Sequence, residues 1–372
     1  MKKNLVIIGA GYAGINIVNK LSNNSNIEIT LINKTAYHLH QTDIHKYISG
    51  ESEFEEVAFD LNEYSKNKNI NFIEALVTNV DFKNKKVLLN EKEIAYDYLI
   101  IATGSVSFFP KQIKNIEAYA QDIKDIKVLK EQREKFLNII NSKEKNKNIA
   151  VIGGGLSGVE IALEFAQVLK EKNISEDECK ISLIEQLPTV LPNLNPFLVD
   201  NTKNACDSLN IKRYHGSFVS EVKDDTIFLS DSTQIPFNMI LFVIGVSSEK
   251  LVEDENTEIN IKNQFIVDEY LRLKNHKEVF VVGDIAQTKD KNDNYVLPTA
   301  QMAKLHALLT AKNIENTIEN KTLIKNTCET KGIMVDLANK NAVGLVMGLK
   351  VKGFIAYILK RFVSNQHIKI FN

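Results

Sequence analysis

The sequence has few cysteines, almost no net charge and no long apolar run. Its three cysteines lie far apart without a C-x-x-C pair, so they suggest neither a disulfide scaffold nor a zinc site, and we expect a reducing cytoplasm. The 46 basic and 47 acidic residues give a formal net charge of −1, so we predict no nucleic-acid partner. No window approaches about 18 uninterrupted apolar residues, so no membrane-spanning helix is expected.

The chain does contain ample apolar material and, at its start, a glycine motif. With 44% apolar residues, the 372-residue chain should form two or three packed domains. Residues 5–8 are apolar and mostly β-branched, which is typical of a strand buried in a parallel sheet. Gly9, Gly11 and Gly14 follow as G-x-G-x-x-G, in which the glycines allow a tight turn, admit a pyrophosphate and pack the next helix against the strand.

The same motif occurs a second time. Apolar residues 149–152 precede Gly153, Gly155 and Gly158, and an apolar helical pattern follows. One copy alone is weak evidence, because a glycine turn before a helix occurs without any ligand. Two copies, each with a strand before and a helix after, favour two dinucleotide sites.

The residue that ends the second strand of each unit differs between the two copies. In the first unit this residue is Asn33, nineteen residues after Gly14, where the pattern normally has Asp or Glu. An amide can still make one ribose bond, so we expect the nucleotide to bind and leave open whether it binds less tightly. In the second unit Glu185 should accept from the ribose diol and repel a 2′-phosphate, which predicts NAD(H) over NADP(H).

The order of the motifs resembles that of a known family. GxGxxG, Ala-Thr-Gly at 102–104, GGGxxGVE, Val-Gly-Asp at 282–284 and Thr-Ala-Gln at 299–301 are similar to two-dinucleotide-domain flavoproteins, most closely to type II NADH dehydrogenases. The resemblance implies an α/β fold with two Rossmann-like domains, the second inserted in the first. The FAD-binding domain would comprise 1–110 and 265–325, the NAD-binding domain 111–264, and a C-terminal region 326–372.

The resemblance also implies cofactor-binding residues. FAD would be held by the first glycine motif, the Ala-Thr-Gly segment and the Val-Gly-Asp segment, with Asp284 bonding the ribitol. The residues implied for FAD are Gly9, Gly11, Tyr12, Ala13, Gly14, Asn33, Lys34, Ala102, Thr103, Gly104, Gly283, Asp284 and Ala300. Those implied for NADH are Gly153, Gly155, Gly158, Glu185 and Gly245.

Three further residues resemble the family's catalytic positions. Glu160 would face the nicotinamide and the flavin, although a carboxylate in a helix's first turn is also ordinary stabilisation. Gln301 lies in the family's quinone-helix pattern, but Leu305 replaces its second glutamine. Lys331 is either an acceptor-site cation or a solvated surface lysine, and the sequence does not separate these alternatives.

A histidine-rich segment raises the question of a metal. His38, His40 and His45 with Asp43 could be ligands, but strand alternation places only some of them together and nothing supplies a second shell. We therefore predict no metal site. In the same segment Thr42 stands where the family usually has proline, and Asp43 where it has an apolar residue, so the quinone side should differ.

These observations predict a flavoenzyme in which NADH delivers hydride to FAD and reduced FAD passes two electrons to a quinone, without proton pumping. One alternative is sulfide:quinone oxidoreduction, in which Cys206 and Cys328 would have to serve. A dithiol reductase is disfavoured because no Cys-x4-Cys follows the first unit's second strand. Another alternative is a flavoprotein that senses NADH without turnover.

The C-terminus has the pattern of an amphipathic helix. Its apolar residues recur at three- and four-residue steps, with basic residues opposite. The apolar set is Val351, Phe354, Ile355, Ile358, Leu359, Phe362 and Val363, and the basic set is Lys352, Lys360 and Arg361. Together with the family resemblance, this pattern predicts peripheral attachment to the inner face of the cell membrane, with the cations meeting anionic lipid. The alternative is that the helix docks on the FAD domain or on a second subunit of a homodimer.

Overall fold

The computed structural model describes residues 2–252, 257–290 and 293–371, and it is built on two parallel sheets. The first sheet has five strands in the spatial order Val279–Val281, Tyr98–Ile101, Lys3–Ile8, Ile27–Asn33 and Asn71–Glu74. All four strand pairs in it are parallel. Its edge strand at 279–281 comes after the whole second sheet in sequence, so the second unit is inserted in the first.

The second sheet has four parallel strands in the order Lys212–His215, Cys179–Glu185, Lys147–Ile152 and Met239–Phe242. Its central strand at 147–152 is buried along its whole length, as expected for a strand covered on both faces. Its order around the glycine turn repeats that of the first sheet. The predicted α/β fold with two Rossmann-like units is confirmed.

Nine α-helices of the described residues accompany these sheets. Their bounds are Tyr12–Leu21, Ile44–Ser49, Phe54–Val57, Leu61–Lys68, Ile126–Asn141, Leu156–Glu171, Pro196–Ser208, Ala300–Ile318 and Phe354–Ile368. Short 3-10 helices span Gln41–Asp43, Ile116–Ala118 and Gly283–Ile285. Helix 12–21 packs against helix 300–318 through small and branched apolar residues. This packing brings the start of helix 300–318 close to the first glycine turn.

The other strands form smaller sheets. Each unit carries one three-stranded antiparallel sheet, Val77–Asp81 with Lys86–Leu89 and Glu93–Ala95, and Val219–Lys223 with Thr226–Leu229 and Gln234–Pro236. Two-stranded pairs join Tyr37–Leu39 to Ala58–Asp60, Val106–Ser107 to Val246–Ser247, and Phe265–Ile266 to Ala286–Gln287. The pair at 106–107 and 246–247 lies where the chain leaves the first unit and where it returns, so it ties the two crossings together.

The C-terminal region adds an antiparallel sheet and one helix. The strands are Gly332–Asp336, Ala342–Val346 and Leu349–Gly353, and the sheet packs into the hydrophobic core of the second unit. The prediction that the apolar helical pattern begins at Val351 is wrong, because that residue lies in the last strand. Gly353, with a φ of 76°, ends the strand, and the C-terminal helix at 354–368 begins directly after it. Among the described residues, no helix is long and apolar enough to cross a membrane.

Candidate functional site

The first glycine turn has the geometry that a pyrophosphate needs. Gly9 has a φ of 100°, and a Cβ there would lie 2.4 Å from the Ala102 carbonyl oxygen. A Cβ at Gly14 would lie 2.0 Å from the Gly9 carbonyl oxygen, so only glycine lets the helix approach the strand. At Gly11, by contrast, a Cβ would meet nothing within 4 Å. The turn is therefore closed at its first and third glycines and open at its second, where a phosphate approaches.

The second glycine turn repeats this geometry. Gly153 has a φ of 113°, and a Cβ there would lie 2.3 Å from the Val243 carbonyl oxygen. At Gly158 a Cβ would lie 1.9 Å from the Gly153 carbonyl oxygen, whereas Gly155 has open space. Gly11 and Gly155 cap their helices without a side-chain hydrogen bond, so the first helical N–H groups are available to an anion.

Asn33 and Glu185 accept equivalent backbone hydrogen bonds in the two units. The Asn33 Oδ1 accepts a hydrogen bond of 2.9 Å from the Ala10 N–H, and the Glu185 Oε2 accepts one of 2.7 Å from the Gly154 N–H. Each side chain thus fixes the residue after the first glycine of its turn. The amide at Asn33 removes a negative charge but keeps this support, which the sequence pattern alone did not predict.

The Val-Gly-Asp turn meets both packed helices. A Cβ at Gly283 would lie 3.6 Å from the Cβ atoms of Ala13 and Ala303, so the turn sits against the helices at 12–21 and 300–318. The latter helix begins at Ala300. This contact brings several of the residues implied for FAD into one neighbourhood.

Asp284 is already engaged by polar partners. Its Oδ2 accepts from the Ser105 hydroxyl at 2.7 Å, and the Lys124 ammonium donates to that hydroxyl at 2.7 Å. Burial lowers the pKa of Lys124, while the nearby carboxylates of Asp284 and Asp122 oppose this shift. The sequence did not single out Lys124, because it lies in a lysine-rich connecting segment without a motif.

The remaining predicted cofactor residues differ in their surroundings. Thr103 is exposed and Gly104, with a φ of 71°, has open space around it. Gly245, in the second unit, has a φ of 130° and likewise has open space around it. Lys34 is exposed, and the Tyr12 hydroxyl lies 3.2 Å from the Thr42 hydroxyl.

Two of the three predicted catalytic residues are in contact. The Gln301 Oε1 accepts a hydrogen bond of 2.7 Å from the Lys331 backbone N–H. This bond joins the start of the helix at 300–318 to the segment before the C-terminal sheet. It involves the backbone of Lys331, so a role for the ammonium stays a prediction.

Glu160 takes part in a buried charged contact. Its Oε1 accepts from the Lys360 ammonium at 2.5 Å and from the Asp336 N–H at 2.9 Å. The side chains of Glu160 and Lys360 are only 12% and 14% exposed. Burial opposes the charge on Lys360, but Glu160 and Asp336 outweigh it and raise the Lys360 pKa. Glu160 therefore holds the C-terminal helix against the second unit, which is more than stabilisation of its own helix.

Asp336 lies at the centre of this charged group. Its Oδ2 is 3.8 Å from the Lys360 Nζ, the Lys46 Nζ and the His45 Nε2. Burial raises the pKa of Asp336, but the nearby His45 ring and the charges of Lys360 and Lys46 outweigh it and hold the pKa at about 2. Asp336 is thus ionised and partnered by cations from both the first unit and the C-terminal helix.

The C-terminal helix has a second polar anchor. Arg361 and Ser364 donate hydrogen bonds of 2.9 Å each to the Asp43 Oδ2. Since Lys360 and Arg361 are paired inside the protein, the prediction that they contact lipid is wrong. The helix packs through its polar face because that face meets carboxylates, and its apolar stripe is left outside. The stripe, Phe354, Ile355, Ile358, Leu359, Phe362 and Val363, is 39% to 71% exposed.

The cysteines lack the properties of reactive thiols. Cys179 and Cys206 are buried in the second unit, and burial raises the pKa of each thiol to about 11. Burial also raises the pKa of the half-buried Cys328. A thiolate at neutral pH needs a lowered pKa, so none of the three is prepared for nucleophilic attack.

Comparison with known families and proteins finds relatives along nearly the whole chain. The sequence profile described as pyridine nucleotide-disulphide oxidoreductase matches residues 3–307. The chain is 26% identical over 393 aligned positions to the type II NADH:quinone oxidoreductase of Staphylococcus saprophyticus, covering 99% of this chain and 95% of that protein. It is 27% identical over 391 positions to the enzyme of the same name from Staphylococcus aureus, with the same coverage of each chain.

Two solved structures share the fold at 20% identity. NDH2 from Plasmodium falciparum, solved in complex with NADH, superposes with a TM-score of 0.86 and covers 100% of this chain and 97% of its own. The sulfide:quinone oxidoreductase of Aquifex aeolicus superposes with a TM-score of 0.83, covering 99% and 91%. At this identity both likenesses concern the fold alone.

Proposed function

This chain belongs to the pyridine nucleotide-disulphide oxidoreductase family, and on that basis we propose that it is an NADH:quinone oxidoreductase of the type II kind, acting without proton pumping. It is an oxidoreductase whose cofactors are FAD and NADH. The observation that carries the proposal is the pair of glycine turns, each open only at its second glycine and followed by an uncapped helix. Two such turns in one chain suit two dinucleotides, one as resident cofactor and one as reductant.

The residues present fit FAD at the first turn. Gly11 leaves room for the pyrophosphate, Asn33 fixes the turn, and we propose that Asp284, next to Gly283, would bond the ribitol hydroxyls. When bound, FAD supplies the ability to accept a hydride and to release two electrons to an acceptor. We propose that the first unit binds FAD and that the inserted second unit binds NADH. The C-terminal region forms a separate segment.

At the second turn, Gly155 and Glu185 would hold NADH with its ribose facing the carboxylate. We propose that Glu160, whose carboxylate is held by Lys360, lies beside the nicotinamide, which it would help to orient towards the flavin. On the acceptor side, Gln301 orients the Lys331 segment and can bond a quinone carbonyl. The chain orients the reactants and places charge, and no covalent nucleophile is required.

Anaerobic reduction tests this function. The purified yellow protein should be bleached by NADH and recoloured by added quinone. Sulfide should not bleach it, because the three thiols have raised pKa values and no redox spacing. A variant with Cys179, Cys206 and Cys328 all changed to Ser should keep NADH:quinone turnover.

Other outcomes of that experiment would support the alternatives. Bleaching by sulfide that disappears in the triple variant, with FAD and fold intact, would mean sulfide:quinone oxidoreduction. Bleaching by NADH without recolouring by quinone would mean an NADH-sensing flavoprotein or a protein acceptor.

A charge change at Glu185 should relax nucleotide choice. Wild type should use NADH with a much larger kcat/KM than NADPH, because the carboxylate's repulsion of the 2′-phosphate contributes on the order of 2 kcal/mol, or about 30-fold. Glu185→Gln keeps an oxygen for the Gly154 N–H while removing the charge, so kcat/KM for NADPH should rise at least about tenfold. Glu176→Gln, in the exposed turn that precedes the same strand, should change neither value. Equal use of both nucleotides by wild type would contradict the assignment.

We also propose that the exposed apolar stripe rests on a membrane surface. Met347 and Leu349, in the turn and strand that precede the helix, are 82% and 71% exposed and extend the stripe. Lys350 and Lys352 on that strand are exposed and can meet lipid headgroups. A quinone dissolved in lipid must be reached from the membrane surface, which suits this arrangement. The alternative occupant is the same stripe of a second copy, in a homodimer.

A further inference from the structure

Three buried histidines from distant parts of the chain meet beneath the C-terminal helix. His38, His40 and His367 are 0%, 1% and 5% exposed. One ring nitrogen of each lies within 4.8 Å of the others, and the Nε2 atoms of His38 and His367 are 3.0 Å apart. Two of the three are two residues apart on an extended segment, so their side chains point to the same side.

One hydrogen bond prepares the His38 ring as a ligand. The Nδ1 of His38 lies 2.7 Å from the Ala10 carbonyl oxygen, which can only accept, so Nδ1 carries the hydrogen and Nε2 presents a lone pair. The His367 Nδ1 is buried and has no hydrogen-bond partner among the described residues.

We propose that His38, His40 and His367 form a site for one divalent transition-metal ion, with Zn²⁺ as its probe. Three imidazoles are a common ligand set for zinc, and a ligand whose second nitrogen donates to a carbonyl is held in orientation. Tetrahedral bonds of about 2.0–2.1 Å place ligand nitrogens about 3.3 Å apart. The observed separations, up to 4.8 Å, therefore need movements of about 1.5 Å or less.

Neighbouring groups suit a cation at this place. The Asp43 Oδ2 lies 3.5 Å from the His40 Nε2, and its negative charge is shared with Arg361, which donates to the same oxygen at 2.9 Å. The Tyr12 hydroxyl is 3.3 Å from the His40 Nδ1, so the fourth position is open to that oxygen or to water. The ion would clamp the C-terminal helix to the first unit beside the glycine turn. It has no part in electron transfer, and the inference does not rest on the proposed function.

The sequence prediction of no metal rested on His38, His40 and His45 with Asp43. In the structure His45 instead faces Asp336, and the third member of the cluster comes from a position 329 residues after His38. Sequence spacing could not reveal that partner.

Metal titration of the full-length FAD-bound protein tests the site. After treatment with a chelator, isothermal titration and elemental analysis should find one Zn²⁺ per chain with a dissociation constant below about 1 µM. His367→Ala and His38→Gln should each weaken binding at least about tenfold. His367→Cys, which keeps a zinc ligand, should bind more tightly than His367→Ala. His276→Gln, on the far surface of the first unit, should bind as wild type does.

A second measurement follows the clamp directly. Zn²⁺ should slow proteolysis of the C-terminal helix and raise the temperature of flavin release in wild type, and should do neither in His367→Ala. Absence of stoichiometric Zn²⁺ from wild type, or equal binding by wild type and His367→Ala, would overturn the proposal.

Discussion

A Lys360→Met variant should lose about 3–5 kcal/mol of folding free energy, the range expected when one partner of a buried ion pair is removed. Methionine leaves the Glu160 and Asp336 carboxylates facing each other in a site where Lys360 is only 14% exposed. The C-terminal helix would keep its polar contacts with Asp43, His40 and His38 in the first unit but lose its ion pair with the second unit. We therefore expect the helix to detach from the second unit before the rest of the chain unfolds.

Thermal unfolding monitored by circular dichroism, with proteolysis of the C-terminal helix, measures this effect. Lys352→Met removes an exposed lysine from the adjacent strand and should change stability by less than about 0.5 kcal/mol. Lys360→Arg keeps the charge and should lose less than Lys360→Met. If Lys360→Met were as stable as Lys352→Met, the ion pair would not hold the helix.

The stability difference between wild type and Lys360→Met should depend on pH. The pKa of Asp336 is lowered from its usual 3.8 to about 2, so its ionisation stabilises the fold above pH 3.8, and this stabilisation is lost as pH falls towards 2. In Lys360→Met the Asp336 pKa should be less depressed, so the variant loses less over that range. The stability difference between wild type and variant should therefore narrow below pH 4.

The parts of the site that the sequence predicted are local in the chain. A strand, a glycine triad and a helix fall within one short window, so composition and spacing are enough to place Gly9, Gly11 and Gly14. The same holds for the second triad. Glu185 was found because it ends the next apolar strand pattern after the triad, where the dinucleotide motif carries an acidic residue.

The parts that the sequence missed are long-range. Lys360 and Glu160 are 200 residues apart, and Arg361 and Asp43 are 318 apart. Helical periodicity tells which side chains share a face, but it does not tell which face packs against the protein. Here burial of the polar face is favoured because carboxylates from both units form ion pairs with its cations. No periodic signal carries that information.

The docked helix also changes how membrane attachment should be tested. Deleting residues 351–372 would remove Lys360 and Arg361. The buried carboxylates that these cations neutralise would be left unpaired, so the remaining chain would be destabilised. Point changes within the exposed stripe avoid this problem. Ile358 and Phe362 are 48% and 60% exposed, so their replacement leaves the polar anchors intact.

An Ile358→Glu, Phe362→Glu variant should fail to float with vesicles that carry wild type. Burying each apolar side chain is worth about 1.5–3 kcal/mol, so losing two should weaken attachment at least about 100-fold.

Turnover with a long-tailed quinone should fall at least about tenfold with the weakened attachment, while anaerobic flavin reduction by NADH and turnover with a short-tailed quinone stay unchanged. Asn365→Glu, Gln366→Glu adds the same charge to exposed polar positions of the same helix and should float as wild type does. A wild type that does not float, but whose dimer dissociates in the Ile358→Glu, Phe362→Glu variant, would assign the stripe to a homodimer instead of a membrane.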